Sequence, residues 1–200
     1  MSPLKIVAAG AFALLFGASI ALAQQPPLRA HGTIESVSGA TLVLKPSSGP
    51  NLTVNVAANA QIYGAVAKKA ADVKTGQFIA VTGMPQPDGT QKAVYVVIFP
   101  EAMRGIGEGH RPWEAGTTMT NATVDSTVAS VDGQALTVKY KGGEQKITIV
   151  PDTKIVSYVP GDKSELKAGA HISIPRIEKA ADGTLQAGRI YVGRDGVVPQ

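Results

Sequence analysis

The chain predicts an all-β protein: two tandem, five-stranded, OB-like barrels behind an N-terminal signal peptide. Three observations carry this expectation. They are an apolar leader with a cleavage pattern, an internal repeat, and period-two alternation of apolar residues inside each copy.

The leader comes first. Lys5 supplies the charge of a short n-region, an apolar run extends from Ile6 to Leu22, and Ala21-Leu22-Ala23 puts small residues where a signal peptidase reads. Residues 1–23 are therefore expected to be a cleavable signal peptide, with the working protein beginning at Gln24. A retained anchor is the competing reading, but it asks for about 20 apolar residues, and this run is shorter and rich in Ala and Gly. No later stretch approaches that length, so the mature form is not expected to span a membrane. The expected setting is periplasmic or secreted.

Composition narrows the chemistry. The chain has no cysteine, which removes thiol catalysis, zinc–thiolate sites and iron–sulfur ligation. Its 19 basic and 15 acidic residues are scattered singly, so they read as a solvated surface and a nucleic-acid partner is not expected.

The repeat is the most informative feature. Thr33–Gly39 recurs as Thr127–Gly133, and Leu42–Lys45 as Leu136–Lys139, each 94 positions later. Asp72–Ile79 returns as Glu165–Ile172 at an offset of 93, and Asp88-Gly89-Thr90 returns as Asp182-Gly183-Thr184 at 94. A register kept over such a span marks a duplication. Within each copy a first strand ends near Val37, and Leu42/Leu44 or Leu136/Val138 alternate on a second. A third carries Leu52, Val54 and Val56, or Ile147 and Ile149. A helical turn at 68–73 or 164–166 is closed by Gly76 or Gly169, and two more strands follow, Phe78–Val81 and Ala93–Phe99 or Ile172–Ile174 and Ala187–Val192. Three strands, a helical turn and two strands are the plan of a small OB-like barrel. The expected organisation is 28–99 for the first repeat, 100–119 for an ordered inter-repeat segment and 120–195 for the second repeat.

Gly32, the step Asp72-Val73-Lys74-Thr75-Gly76 and the turn Asp88-Gly89 of copy one, with Glu165-Leu166-Lys167-Ala168-Gly169 and Asp182-Gly183 of copy two, resemble a family of exported bacterial domains of unknown function. Copy two has no glycine matching Gly32. These are turn and packing residues, so the resemblance implies fold and setting and no activity.

The inter-repeat segment carries the candidate site. It holds the only tryptophan, Trp113, beside His110 and Arg111, with Arg104 upstream. Side chains this large are not those of a flexible linker. One reading makes the segment a structural strap with Trp113 plugging the groove between the barrels. A second makes Trp113, His110, Arg111 and Arg104 a contact surface for an envelope protein or small ligand, because Trp and Arg dominate such anchors. A third places copper on Met103, His110 and Met119, soft and imidazole ligands suited to that metal. His31 and His171 sit at non-equivalent repeat positions, and no nucleophile elbow or triad context occurs. The expected function is a non-catalytic binding or interaction module without a cofactor; copper binding and an envelope enzyme are the alternatives.

Overall fold

The computed structural model describes residues 28–114, 116–130 and 133–200; the leader lies outside them, as does Asp132, expected in a turn. Copy one forms β1 (Leu28–Ser38), β2 (Thr41–Pro46), β3 (Leu52–Ala67), β4 (Phe78–Pro85) and β5 (Gln91–Ile98). The inter-repeat segment adds a short 3₁₀ turn, Glu101–Met103, and β6 (Gly109–Pro112). Copy two forms β7 (Thr118–Ser130), β8 (Gly133–Tyr140), β9 (Gly143–Ile149), β10 (Lys154–Pro160), β11 (His171–Lys179) and β12 (Leu185–Gly193). The protein is all-β, and among the described residues no helix is long and apolar enough to cross a membrane.

The period-two positions point inward as their spacing requires. Leu42, Leu44, Val54 and Val56 are buried, as are Leu136, Val138, Ile147 and Ile149. The expected helical turns are 3₁₀ turns at Ala70–Asp72 and Lys163–Glu165. Asp72 and Glu165 each reach back three residues to accept from a backbone N–H, Lys69 N at 2.8 Å and Asp162 N at 2.9 Å. Gly76 and Gly169 follow at φ +85° and +84°, a left-handed geometry that only glycine adopts without strain. The third strand departs from expectation. β3 runs for 16 residues, whereas copy two breaks the same stretch into β9 and β10 at Pro151, which lacks the N–H a continuous ladder needs.

Two five-stranded barrels close, and each draws strands from both copies. The first runs β1-β2-β3-β12-β11 and back to β1. The second runs β7-β8-β9-β5-β4 and back to β7. The opening three strands of one copy are therefore completed by the closing two of the other. Gly76 N donates to Val124 O and Gly169 N to Ile34 O, both at 2.8 Å, so the turn preceding each exchanged pair is also tied to the opposite copy. The two cores match position for position: Leu42 with Leu136, Val54 with Ile147, Ile172 with Ile79, Ile190 with Val96.

A pseudo-twofold axis relates the halves. It passes through the antiparallel pairing of β3 with β10, where the equivalent residues Ala65 and Tyr158 face each other. The parallel ladders on either side are related by it, Gln61 beside Arg189 and Lys154 beside Tyr95. The first strands align with a different register from the rest. Ile34 lies opposite Leu44 and Val124 opposite Val138, so Gly32-Thr33-Ile34 corresponds to Ala122-Thr123-Val124, an offset of 90 rather than 94. The cause is hairpin length: six residues separate the paired Ser36 and Val43, and ten separate Ser126 and Thr137. Ala122 thus stands where Gly32 does; a Cβ at Gly32 would lie 2.2 Å from Lys45 O, so only glycine fits there.

Candidate functional site

A third cluster fills the seam between the barrels. Ala65, Ala80, Tyr95, Val97, Met103, Val156, Tyr158 and Tyr191 are buried there, with Tyr63, Phe99, Ile106, Met119 and Val197 packed against them. Tyr158 and Tyr191 stack face to face, with ring centroids 3.9 Å apart and planes 9° from parallel. Phe99 meets Tyr158 edge-on at 5.8 Å, and Tyr63 lies 6.0 Å from Tyr191. Burial pushes the Tyr191 hydroxyl up to about 12 and also raises those of Tyr95 and Tyr158, so all three are neutral phenols at physiological pH.

The seam opens into a pocket of about 200 Å³. Its walls are Tyr95, Phe99, Tyr158 and Tyr191, and its rim carries Arg111, Trp113 and Arg189. The strand exchange makes this convergence. Tyr95 on β5 and Tyr191 on β12 are not equivalent in the repeat, yet the seam faces of both strands meet across the pseudo-twofold axis. Asn121 on β7 also lines the wall; its Nδ2 donates to Ile106 O at 2.8 Å, while its buried Oδ1 has no partner among the described residues.

The described residues of the inter-repeat segment do two things. Met103 is 4% exposed in the seam, and Arg104 is pinned to Glu101, to Gly76 O at 2.8 Å and to Thr123 Oγ1 at 3.2 Å. β6 then pairs with β7 and carries Trp113 across to the outer face of the other barrel. There the Arg29 guanidinium lies 3.7 Å from the centroid of the Trp113 ring, and that of Arg111 lies 5.6 Å away. Arg111 Nη1 donates to Gly107 O at 2.8 Å. Burial, helped by the nearby Arg29 charge, holds the Arg111 guanidinium below its ordinary value.

The expected contact residues divide. Trp113 and Arg111 come together at the pocket, whereas Arg104 is engaged in holding the segment down. His110 faces away, because residues alternate along β6: its Nδ1 lies 2.8 Å from Thr120 Oγ1 and its ring stacks on Tyr140 at 6.3 Å. The copper set Met103, His110 and Met119 is split for the same reason. The two methionines enter the seam and His110 lies on the opposite face of the β6–β7 ribbon. Among the described residues no group of three or more His, Cys, Asp or Glu is placed to hold a metal ion. The residues that sequence reasoning passed over are Arg29 and Arg189. The exchange also brings His31 and His171 onto one face of the β1–β11 pair, where His171 Nδ1 lies 3.0 Å from Thr33 Oγ1.

The domain of unknown function DUF5666 matches this chain twice, over residues 31–96 and 126–191, well over half its length. The chain belongs to the DUF5666 family. No curated protein and no solved structure gives a significant match. Set on the fold, each DUF5666 match begins on a first strand and ends on a fifth strand, so one match spans parts of both barrels. The second match opens at Ser126, beyond the bulge in β7, and the inter-repeat segment bearing Trp113 lies between the two.

Proposed function

We propose that this protein is an exported, non-catalytic binding module whose site is the seam pocket between its two barrels, and that its ligand is small. One observation carries the proposal: aromatic side chains from both copies and from the inter-repeat segment converge on one cavity, and the ionisable side chains in its wall are arginines and tyrosines. Neutral phenols and guanidinium groups bind and orient; they are poorly matched to proton transfer near neutral pH, which favours binding over acid–base chemistry. The half-buried Trp113 presents little free surface to a protein partner, which favours a ligand within the pocket over a large docking interface. The apolar leader with its cleavage pattern supports export.

Trp113 is the sole tryptophan and reports directly on the rim. The mature protein is to be screened against small molecules of varied charge and ring content, and against copper, by melting temperature and Trp113 emission. The expected result is that compounds of one class raise the melting temperature, shift the emission and are recovered unchanged, and that Tyr191→Ala removes the effect. Chemical conversion of a bound compound, or no response from any class, would sink the reading.

A further inference from the structure

We propose that the seam pocket takes a small planar aromatic anion, a single ring bearing a carboxylate. This names the ligand class of the binding module and rests on that reading.

Charge is the first argument. Arg111 and Arg189 line the pocket, and Arg29 sits over Trp113 at its rim. Among the described residues none of the three forms an ion pair, although four other basic residues of the chain do. Arg189 spends its Nη2 on the neutral Gln61 Oε1 at 3.0 Å, and Arg111 uses its Nη1 on a backbone carbonyl. Two guanidinium groups thus line the pocket and a third, Arg29, lies beyond it against Trp113, close enough to Arg111 to oppose its charge, and a carboxylate satisfies the fork geometry of such groups. Gln200 also lines the pocket.

Shape is the second argument. The walls are flat aromatic faces, and the volume of about 200 Å³ is below the roughly 300–1,000 Å³ of pockets for drug-sized ligands. One ring with a short substituent fills it. A neutral sugar is the poorer match, because it offers the pocket's arginines no charge to pair with. An aromatic cation is disfavoured by the arginines.

The test titrates the mature protein with benzoate, benzamide, cyclohexanecarboxylate and benzylamine, following Trp113 emission and heat. Benzoate is expected to saturate a single site. Benzamide and cyclohexanecarboxylate are each expected to bind roughly tenfold or more weakly, since one lacks the charge and the other the ring. Arg111→Gln and Arg189→Gln should each weaken benzoate about tenfold, Arg111→Lys should recover part of the loss, and Lys139→Gln, remote from the pocket, should change nothing. Circular dichroism confirms that each variant is folded. Equal affinity for benzamide and benzoate, or benzoate binding untouched by both arginine variants, would overturn the assignment. Benzoate failing to bind while another class saturates the pocket would overturn it too, yet leave the binding module standing.

Discussion

Arg194 reaches from the end of β12 to Glu165 in a two-pronged pair, Nε to Oε2 and Nη2 to Oε1, both 2.8 Å, and its Nη2 also meets Pro160 O at 3.1 Å. The Arg194 guanidinium holds the Glu165 carboxyl below the ordinary carboxylate range. A carboxyl lowered in the folded state stabilises the fold fully above its unfolded value of about 4.3, and that contribution disappears as pH falls through the lower folded value. The pair is about a third exposed on the arginine side, so its worth is about 1 kcal/mol. Glu165→Gln is expected to lower stability by about that much at pH 7 and by almost nothing at pH 2, read by urea denaturation. Tyr158 is the opposite kind of residue, 4% exposed at the axis and stacked on Tyr191. Tyr158→Ala should cost about 3–5 kcal/mol, the range for truncating a buried aromatic, and should loosen the pocket wall; thermal unfolding and loss of ligand response would show both. Inward aliphatics such as Leu42 and Ile147 were legible because period-two alternation is a local signal. Tyr95 and Tyr191 were legible only as strand residues, because their meeting depends on which strands pair across the molecule.

At the level of elements, the inter-repeat segment is both strap and rim. Its first half enters the seam through Met103 and Ile106, and its second half forms β6 on one barrel and delivers Trp113 to the other. Acrylamide is expected to quench Trp113 emission partially, between the limits of a free and a buried indole. Arg29→Ala should raise that quenching by uncovering one ring face, and an unchanged quenching constant would contradict the stacking seen here. That the segment is more than a plain linker is an expectation its residue types raise. Its division of labour was not legible: alternation along β6 sends His110 to one face and Arg111 to the other, and a four-residue strand is too short to declare itself by pattern. The first-strand register was obscured in the same way. Four extra residues in the β7–β8 hairpin preserve a 94-residue likeness in the sequence while the paired strands obey an offset of 90.

Over the whole molecule, exchange of the closing strand pair makes the two copies one folding unit. In this fold neither copy closes a barrel by itself, since its opening three strands and its closing two lie in different barrels, and a copy keeping this arrangement alone would leave strand edges open and its core exposed. Fragments 24–105 and 106–200, expressed separately, are expected to lack cooperative unfolding and to regain it as a one-to-one complex when mixed. The duplication and the five-strand plan were legible in the sequence, but pairing within a copy and pairing between copies satisfy the same local pattern, so strand content alone does not choose between them. The choice matters for function, because the exchange is what brings seam faces from both copies around one pocket.

The most direct test uses the absence of native cysteine. Thr33 on β1 lies opposite His171 on β11, strands from different copies. Opposed positions on adjacent antiparallel strands are within disulfide reach, about 4.5–5.5 Å between Cα atoms. The double variant Thr33→Cys/His171→Cys should form an intramolecular disulfide on mild oxidation, still joining the two halves after cleavage between the copies. Thr33→Cys/Phe78→Cys, which pairs the equivalent positions within one copy, should not. The reverse outcome, a bond within the copy and none between copies, would contradict the exchanged barrels and the pocket they build.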